Sequence, residues 1–237
     1  MFPRPRQEGR RPLISDATSN TLIDIDRPVA WRWAALMITV AASLMIVMAV
    51  PALAEWVQPL DDWGWEAAVD SEADILVAIG RALDVIGGSV VMAALMFAVA
   101  IIFGIKRRWA TLATWLVAMG LSQLLSLSLK FLYERPRPTQ SLVETATWSF
   151  PSGHSITAAV FAVALVLLWV PKGHRRRKML VVGVAYAVIM AVSRVYLRAH
   201  WITDASAGFA IGVGTAVVVI LAMNKSSSGG AEDGERL

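Results

Sequence analysis

Cysteine is absent from the 237 residues, and histidine occurs only three times. The first absence excludes disulfides and thiolate metal sites; the second leaves too few imidazoles for a histidine-built metal centre. Charge is also scarce, with 17% charged residues against 57% hydrophobic ones, and the mean hydropathy is +0.58. A water-soluble domain needs more charge on its surface, so the bilayer is the expected solvent. The formal net charge of +4 would otherwise suggest nucleic acid. The basic residues, however, stand in short clusters between apolar runs rather than on one soluble face, so no nucleic-acid partner is expected. No internal repeat is visible.

What the chain does have is apolar length. Six stretches, near 33–54, 89–105, 110–131, 154–171, 179–193 and 204–223, each approach the ~20 residues that a spanning helix needs. The first ends in Ala52-Leu53-Ala54, which imitates a signal-peptidase site. The apolar run before it is long enough to anchor instead, and the remaining topology is the same either way.

Orientation follows from lysine and arginine. Arg4, Arg6, Arg10, Arg11, Arg27 and Arg32 precede or open the first span, Lys106, Arg107 and Arg108 follow the second, and Lys172, Arg175, Arg176, Arg177 and Lys178 follow the fourth. Even numbers of spans separate these clusters, so all three can be cytoplasmic. Segment 55–88 carries eight acidic residues and only Arg81 among basic ones, which fits the opposite side. Within it Leu76, Ile79, Leu83 and Ile86 recur at helical spacing, which predicts a short helix lying on the membrane or capping the bundle. The expected fold is therefore all-α and polytopic, with six transmembrane helices plus that interfacial helix and both termini cytoplasmic. A disordered basic arm (1–32) precedes the six-span body (33–223), and a disordered tail (224–237) follows it.

Three segments interrupt the apolar pattern, and all three fall on the extracytoplasmic side: Lys130 to Pro138, Pro151 to His154, and Ser193 to Asp204. Ionisable groups at membrane depth are costly unless they snorkel, pair or function, so their convergence marks a site. Lys130 closes the third span, and Arg137 follows between Pro136 and Pro138, which stop the helix before it. Singly, each would serve as an interfacial anchor. Pro151-Ser152-Gly153-His154 opens the fourth span, so free backbone N–H groups, a hydroxyl and an imidazole share one turn. Read alone, this is also an ordinary helix cap. His200 and Asp204 are four apart, a spacing that sets a carboxylate beside an imidazole, and Arg194 lies six residues upstream to grip a phosphate. Together they supply cations, two histidines, an orienting carboxylate and a helix start, an inventory suited to phosphoryl transfer without metal.

The strings Lys130-x6-Arg137-Pro138, Pro151-Ser152-Gly153-His154 and Ser193-Arg194-x5-His200-x3-Asp204 resemble, in order and spacing, the three signature motifs of the type 2 phosphatidic acid phosphatase superfamily. The resemblance covers roughly residues 89–223. It implies that His200 attacks phosphorus to form a phosphohistidine while Asp204 orients its ring. His154 would protonate the leaving lipid oxygen and later activate water. Lys130, Arg137 and Arg194, with Ser152 and the N–H of Gly153, would bind the phosphoryl oxygens. Arg135 and Arg198 are extra cations that would extend the phosphate pocket or bind the second phosphate of a diphosphate. No cofactor or metal is implied. The expected partners are the bilayer and a lipid phosphate such as undecaprenyl diphosphate, phosphatidic acid, phosphatidylglycerol phosphate or a lipid A phosphate. The expected place is the cell membrane, with the site facing the periplasm or exterior. A phosphotransferase using the same phosphohistidine, a vanadate-holding haloperoxidase, and an anion or lipid-phosphate transporter are the competing readings.

Gly208 and Gly212 form a small-xxx-small pair in the last span and are expected to pack helices. Gln123, Ser126 and Ser128 are expected to make hydrogen bonds between helices rather than touch substrate.

Overall fold

The computed structural model describes residues 26–229 and folds them into eight α-helices, with no strand among the described residues. They are α1 (Arg27–Ala49), α2 (Pro51–Asp70), α3 (Asp74–Gly87), α4 (Ser89–Ile105), α5 (Trp109–Tyr133), α6 (Gly153–Trp169), α7 (His174–Tyr196) and α8 (Ile202–Gly229). Most of the arm and part of the tail lie outside the described residues. At the inner edges, α1 already starts at Arg27, capped by Asp26, and α8 continues past 223 to Gly229.

All six apolar stretches fall on helices. Four of these helices, α1, α5, α7 and α8, are long and apolar enough to cross a membrane. α3 and α4 pass the same test only as a pair, bent by 50° at Gly88, and α6 is an apolar helix of 17 residues.

Two differences from the sequence expectation share a cause. The first apolar run stops at Ala49 instead of 54, because Pro51 forces Val50 into an extended conformation (φ −109°, ψ 109°) and starts a new helix. The segment 55–88 is then two helices, α2 and α3, rather than one short one. α2 was hidden by Pro59 in its interior and by its mixture of acidic and aromatic residues. Both lie over the end of the bundle where α5, α6, α7 and α8 present the interrupting segments. Trp65 donates to the carbonyl of Thr139 at 3.0 Å, and Tyr196 donates to the carbonyl of Ser71 at 2.9 Å.

At the centre α6 packs on α8, and glycine is what allows it. A Cβ on Gly208 would stand 2.5 Å from the carbonyl oxygen of Ser152, and one on Gly212 2.4 Å from that of Ile156. Backbone cannot retreat as a side-chain tip can, so Gly212→Ala should destabilise by about 3 kcal/mol, the upper end of ordinary overpacking. Thermal melting in detergent checks this against Gly104→Ala, which meets open space and should leave the midpoint nearly unchanged. Gln123 donates to Thr157 Oγ1 at 3.0 Å, joining α5 to α6.

The basic turns gather at the opposite end of the bundle from α2 and α3. Arg108 donates to the carbonyl of Leu168 at 2.9 Å, and Arg27 to that of Asn224 at 3.4 Å.

Candidate active site

The turn between α7 and α8 sets the geometry. Arg198 takes a left-handed φ of 54°, and the amides of Ala199 and His200 both donate to the carbonyl of Arg194, at 3.1 and 3.2 Å. This sharp reversal brings Arg194, at the end of α7, and His200, just before α8, to one end of the bundle.

His200 is buried, with 3% of its surface exposed. Its Nε2 lies 3.1 Å from an amino group of Arg137, and its Nδ1 lies 3.5 Å from Oδ2 of Asp204. A guanidinium can only donate, so Nε2 is the acceptor and the ring proton sits on Nδ1, facing the carboxylate. The Nδ1 contact is at the outer limit of a hydrogen bond, and no other group satisfies that nitrogen. Burial pushes the His200 imidazole down to about 3; Arg137 and Lys130 push the same way, against the pull of Asp204. The ring is thus neutral at physiological pH, with its Nε2 lone pair available.

Asp204 is fully buried and saturated. Oδ1 accepts from Arg135 at 2.7 Å; Oδ2 accepts from the Trp201 amide at 3.0 Å and from the Ser149 hydroxyl, besides facing His200. Arg135 extends the network by donating to Thr203 Oγ1 and Asp61 Oδ2, both at 2.7 Å. Asp61, buried on α2, also accepts from the Thr203 amide at 2.9 Å, so a residue from another helix caps the start of α8. Arg135 therefore lies between two carboxylates rather than lending an uncommitted charge to a phosphate pocket.

Arg137 donates to the carbonyls of Thr147 and Ala199, each at 2.6 Å, and of Trp148 at 3.2 Å, in addition to resting on His200. Burial lowers its pKa to about 10, with Asp204 opposing the shift and Arg194 adding to it. Lys130, buried, donates to the carbonyl of Trp148 at 2.5 Å. A Cβ on Gly153 would stand 3.9 Å from its Cε, which puts this lysine beside the start of α6. Ser152 caps that helix, its Oγ accepting from the Ser155 amide at 3.4 Å.

Arg194 and His154 meet through a residue that the sequence reading missed. Oδ1 of Asp84, on α3, lies 2.5 Å from an amino group of Arg194 and 3.4 Å from His154 Nε2. The Nε of Arg194 is buried without a hydrogen-bond partner. Arg198 is held by Glu72 at 2.8 Å through one amino group, while its Nε is likewise unpartnered. The other missed residues are Asp61, Ser149 and Glu72. Asp84 had left a trace in the sequence, as an acid next to the apolar repeat of Leu76, Ile79, Leu83 and Ile86, three residues before Gly87-Gly88.

Two clusters result, His200 with Asp204, Arg137 and Lys130, and Arg194 with His154 and Asp84, coupled through the mutual repulsion of Arg137 and Arg194. A family model described as the PAP2 superfamily matches residues 111–228. The chain carries a PAP2 superfamily domain. All of the motif residues named above lie inside it, whereas Asp61, Glu72 and Asp84 precede it.

Curated relatives of the PAP2 domain include phosphatidylglycerophosphatase B of Bacillus subtilis (strain 168), 40% identical over 118 residues, or 47% of this chain and 57% of that protein. Undecaprenyl-diphosphatase of Sulfolobus acidocaldarius is 38% identical over 77 residues, 32% of this chain and 31% of that protein. The chain thus spans about 57% and 31% of the lengths of these two relatives. The crystal structure of a transmembrane PAP2 type phosphatidylglycerolphosphate phosphatase from Bacillus subtilis superposes with a TM-score of 0.70 at 27% identity, covering 80% of this chain and 96% of that one. The similarity therefore extends well beyond the PAP2 domain, to the membrane helices before it.

Proposed function

We propose that this chain is an integral membrane phosphatase that removes phosphate from a lipid phosphate through a phosphohistidine on His200. The observation that carries the reading is the polarity of His200: Nδ1–H faces Asp204, and the Nε2 lone pair is held only by an N–H of Arg137. A phosphoryl group arriving there takes over that N–H, and Nε2 bonds to phosphorus as the bond to the lipid oxygen breaks. His154 gives its proton to the leaving oxygen. It then takes one from the water that attacks phosphorus and breaks the P–N bond, releasing phosphate and restoring His200. The unpartnered Nε of Arg194, with Lys130, Arg137, the Ser152 hydroxyl and the Gly153 amide, is suited to receive the phosphoryl oxygens. Because these donors provide positive charge in a buried setting, no metal is required.

The helices support six crossings, with the bent α3–α4 pair and the short α6 completing α1, α5, α7 and α8. The basic turns at the far end support a cytoplasmic orientation for that end, which would leave the site facing the exterior or periplasm. The names of the relatives support a phosphatidylglycerol phosphate or undecaprenyl diphosphate class of substrate, and phosphatidic acid fits the same chemistry. The test is phosphate release by the purified protein in detergent with EDTA present. Lipid phosphates should be hydrolysed and a soluble sugar phosphate should not. Silence toward every lipid phosphate, with or without a lipid or sugar alcohol as acceptor, would sink the proposal.

A further inference from the structure

We infer that the substrate is a lipid phosphomonoester rather than a lipid diphosphate, and that Asp84 is the residue that enforces the choice. The inference rests on the phosphatase reading and narrows its substrate. A diphosphate brings additional negative charge, which a site built for it must meet with additional cations. The two positioned to do so are Arg135 and Arg198. Arg135 lies 2.7 Å from carboxylate oxygens of both Asp61 and Asp204, and Arg198 lies 2.8 Å from Glu72. Arg198 keeps an unpartnered Nε, as Arg194 does, but its side chain bonds to Glu72 alone and to no group of the two clusters around His200 and His154.

Asp84 then adds a charge of the wrong sign. Its Oδ1 touches Arg194 and faces His154, so the carboxylate stands at the leaving-group end of the phosphoryl site. When a monoester is cleaved, the group departing past His154 is an alcohol whose nearest atoms are neutral. When a diphosphate is cleaved, the departing group is itself a phosphate, with its charge one bond from the breaking bond and directed at Asp84. Like charges brought together in a partly desolvated pocket discriminate strongly, and selectivity through repulsion needs no added contact to the preferred substrate. Asp84 also holds the proton-bearing nitrogen of His154, since both its carboxylate and its backbone carbonyl, 3.3 Å away, are acceptors. An alkoxide leaving group needs that proton more than a phosphate leaving group does.

The experiment compares initial rates on phosphatidate and on diacylglycerol pyrophosphate with identical acyl chains, for wild type and Asp84→Asn. Wild type should favour the monophosphate in kcat/KM by at least ~10-fold, and the variant should shift the ratio toward the diphosphate by a similar factor. A wild type that favours the diphosphate, or a variant that changes both substrates equally, overturns the inference while leaving the phosphatase reading intact. Release from neither substrate by wild type refutes the phosphatase reading instead. If Asp84→Asn does not fold, wild-type inhibition decides: inorganic phosphate should inhibit more strongly than pyrophosphate, and the reverse order overturns the inference.

Discussion

Replacing His200 with alanine should reduce phosphate release by more than about 10⁴-fold, because removal of a covalent nucleophile leaves only binding and charge stabilisation behind. The protein should still fold, since the His200 ring makes one normal hydrogen bond, to Arg137, besides its long contact to Asp204, and Arg137 keeps its three carbonyl partners. Two measurements accompany the rate. Wild type incubated with labelled lipid phosphate should carry label on the protein, and the variant should carry none. The second is acid stability. The folded protein holds the ring neutral down to about pH 3, whereas the unfolded chain binds a proton near pH 6.5. The unfolded state therefore binds more protons in that window, and wild type loses stability as pH falls through it. His200→Ala lacks that contribution, so its melting temperature should fall less between pH 6.5 and 4. A variant that retains turnover would remove His200 from the chemistry altogether.

Asp204→Asn should be nearly as severe, about 10³- to 10⁴-fold in kcat, the scale seen when an orienting carboxylate is replaced beside a catalytic histidine. Both oxygens of Asp204 receive hydrogens, Oδ1 from Arg135 and Oδ2 from Trp201 N–H and the Ser149 hydroxyl, with the Nδ1–H of His200 also directed at Oδ2. An amide has only one oxygen, so its NH₂ must face a donor whichever way it is turned. Turned toward His200, it favours the tautomer with the proton on Nε2, which cannot attack phosphorus. Turned toward Arg135, it opposes a guanidinium that is mostly buried. Asp61 still neutralises that guanidinium, so the stability loss should fall below the ~3–5 kcal/mol typical of an abandoned buried charge. Steady-state kinetics and thermal melting on the same preparation separate the two effects.

The motifs were legible in the sequence because their logic is local. Pro136 and Pro138 stop a helix, Ser152 starts one, and four residues separate His200 from Asp204; each is a statement about a single turn of chain. The apolar stretches were legible for the same reason. What could not be read was pairing between distant segments. Nothing in Asp61-Asp62 indicates that Asp61 will cap α8, 142 residues away, or that it will share Arg135 with Asp204. Arg135 and Arg198 looked available because their carboxylate partners come from α2 and from the turn before α3, a region whose helical boundaries were obscured by Pro51 and Pro59. Asp84 was visible as an acid beside an apolar repeat, but its meaning depends on the bend at Gly88 between α3 and α4.

That cover also bears on how such enzymes diversify. The motif residues lie in one contiguous stretch of sequence, while Asp61, Glu72 and Asp84 come from α2, α3 and the turn between them, encoded well before it. On the proposed reading, an exchange of α2 and α3 between relatives would change the carboxylates around Arg135, Arg194 and His154 while keeping the motif residues themselves. Proteins sharing every signature residue can then differ in their lipid, and the first place to look for the difference is the cover rather than the motifs.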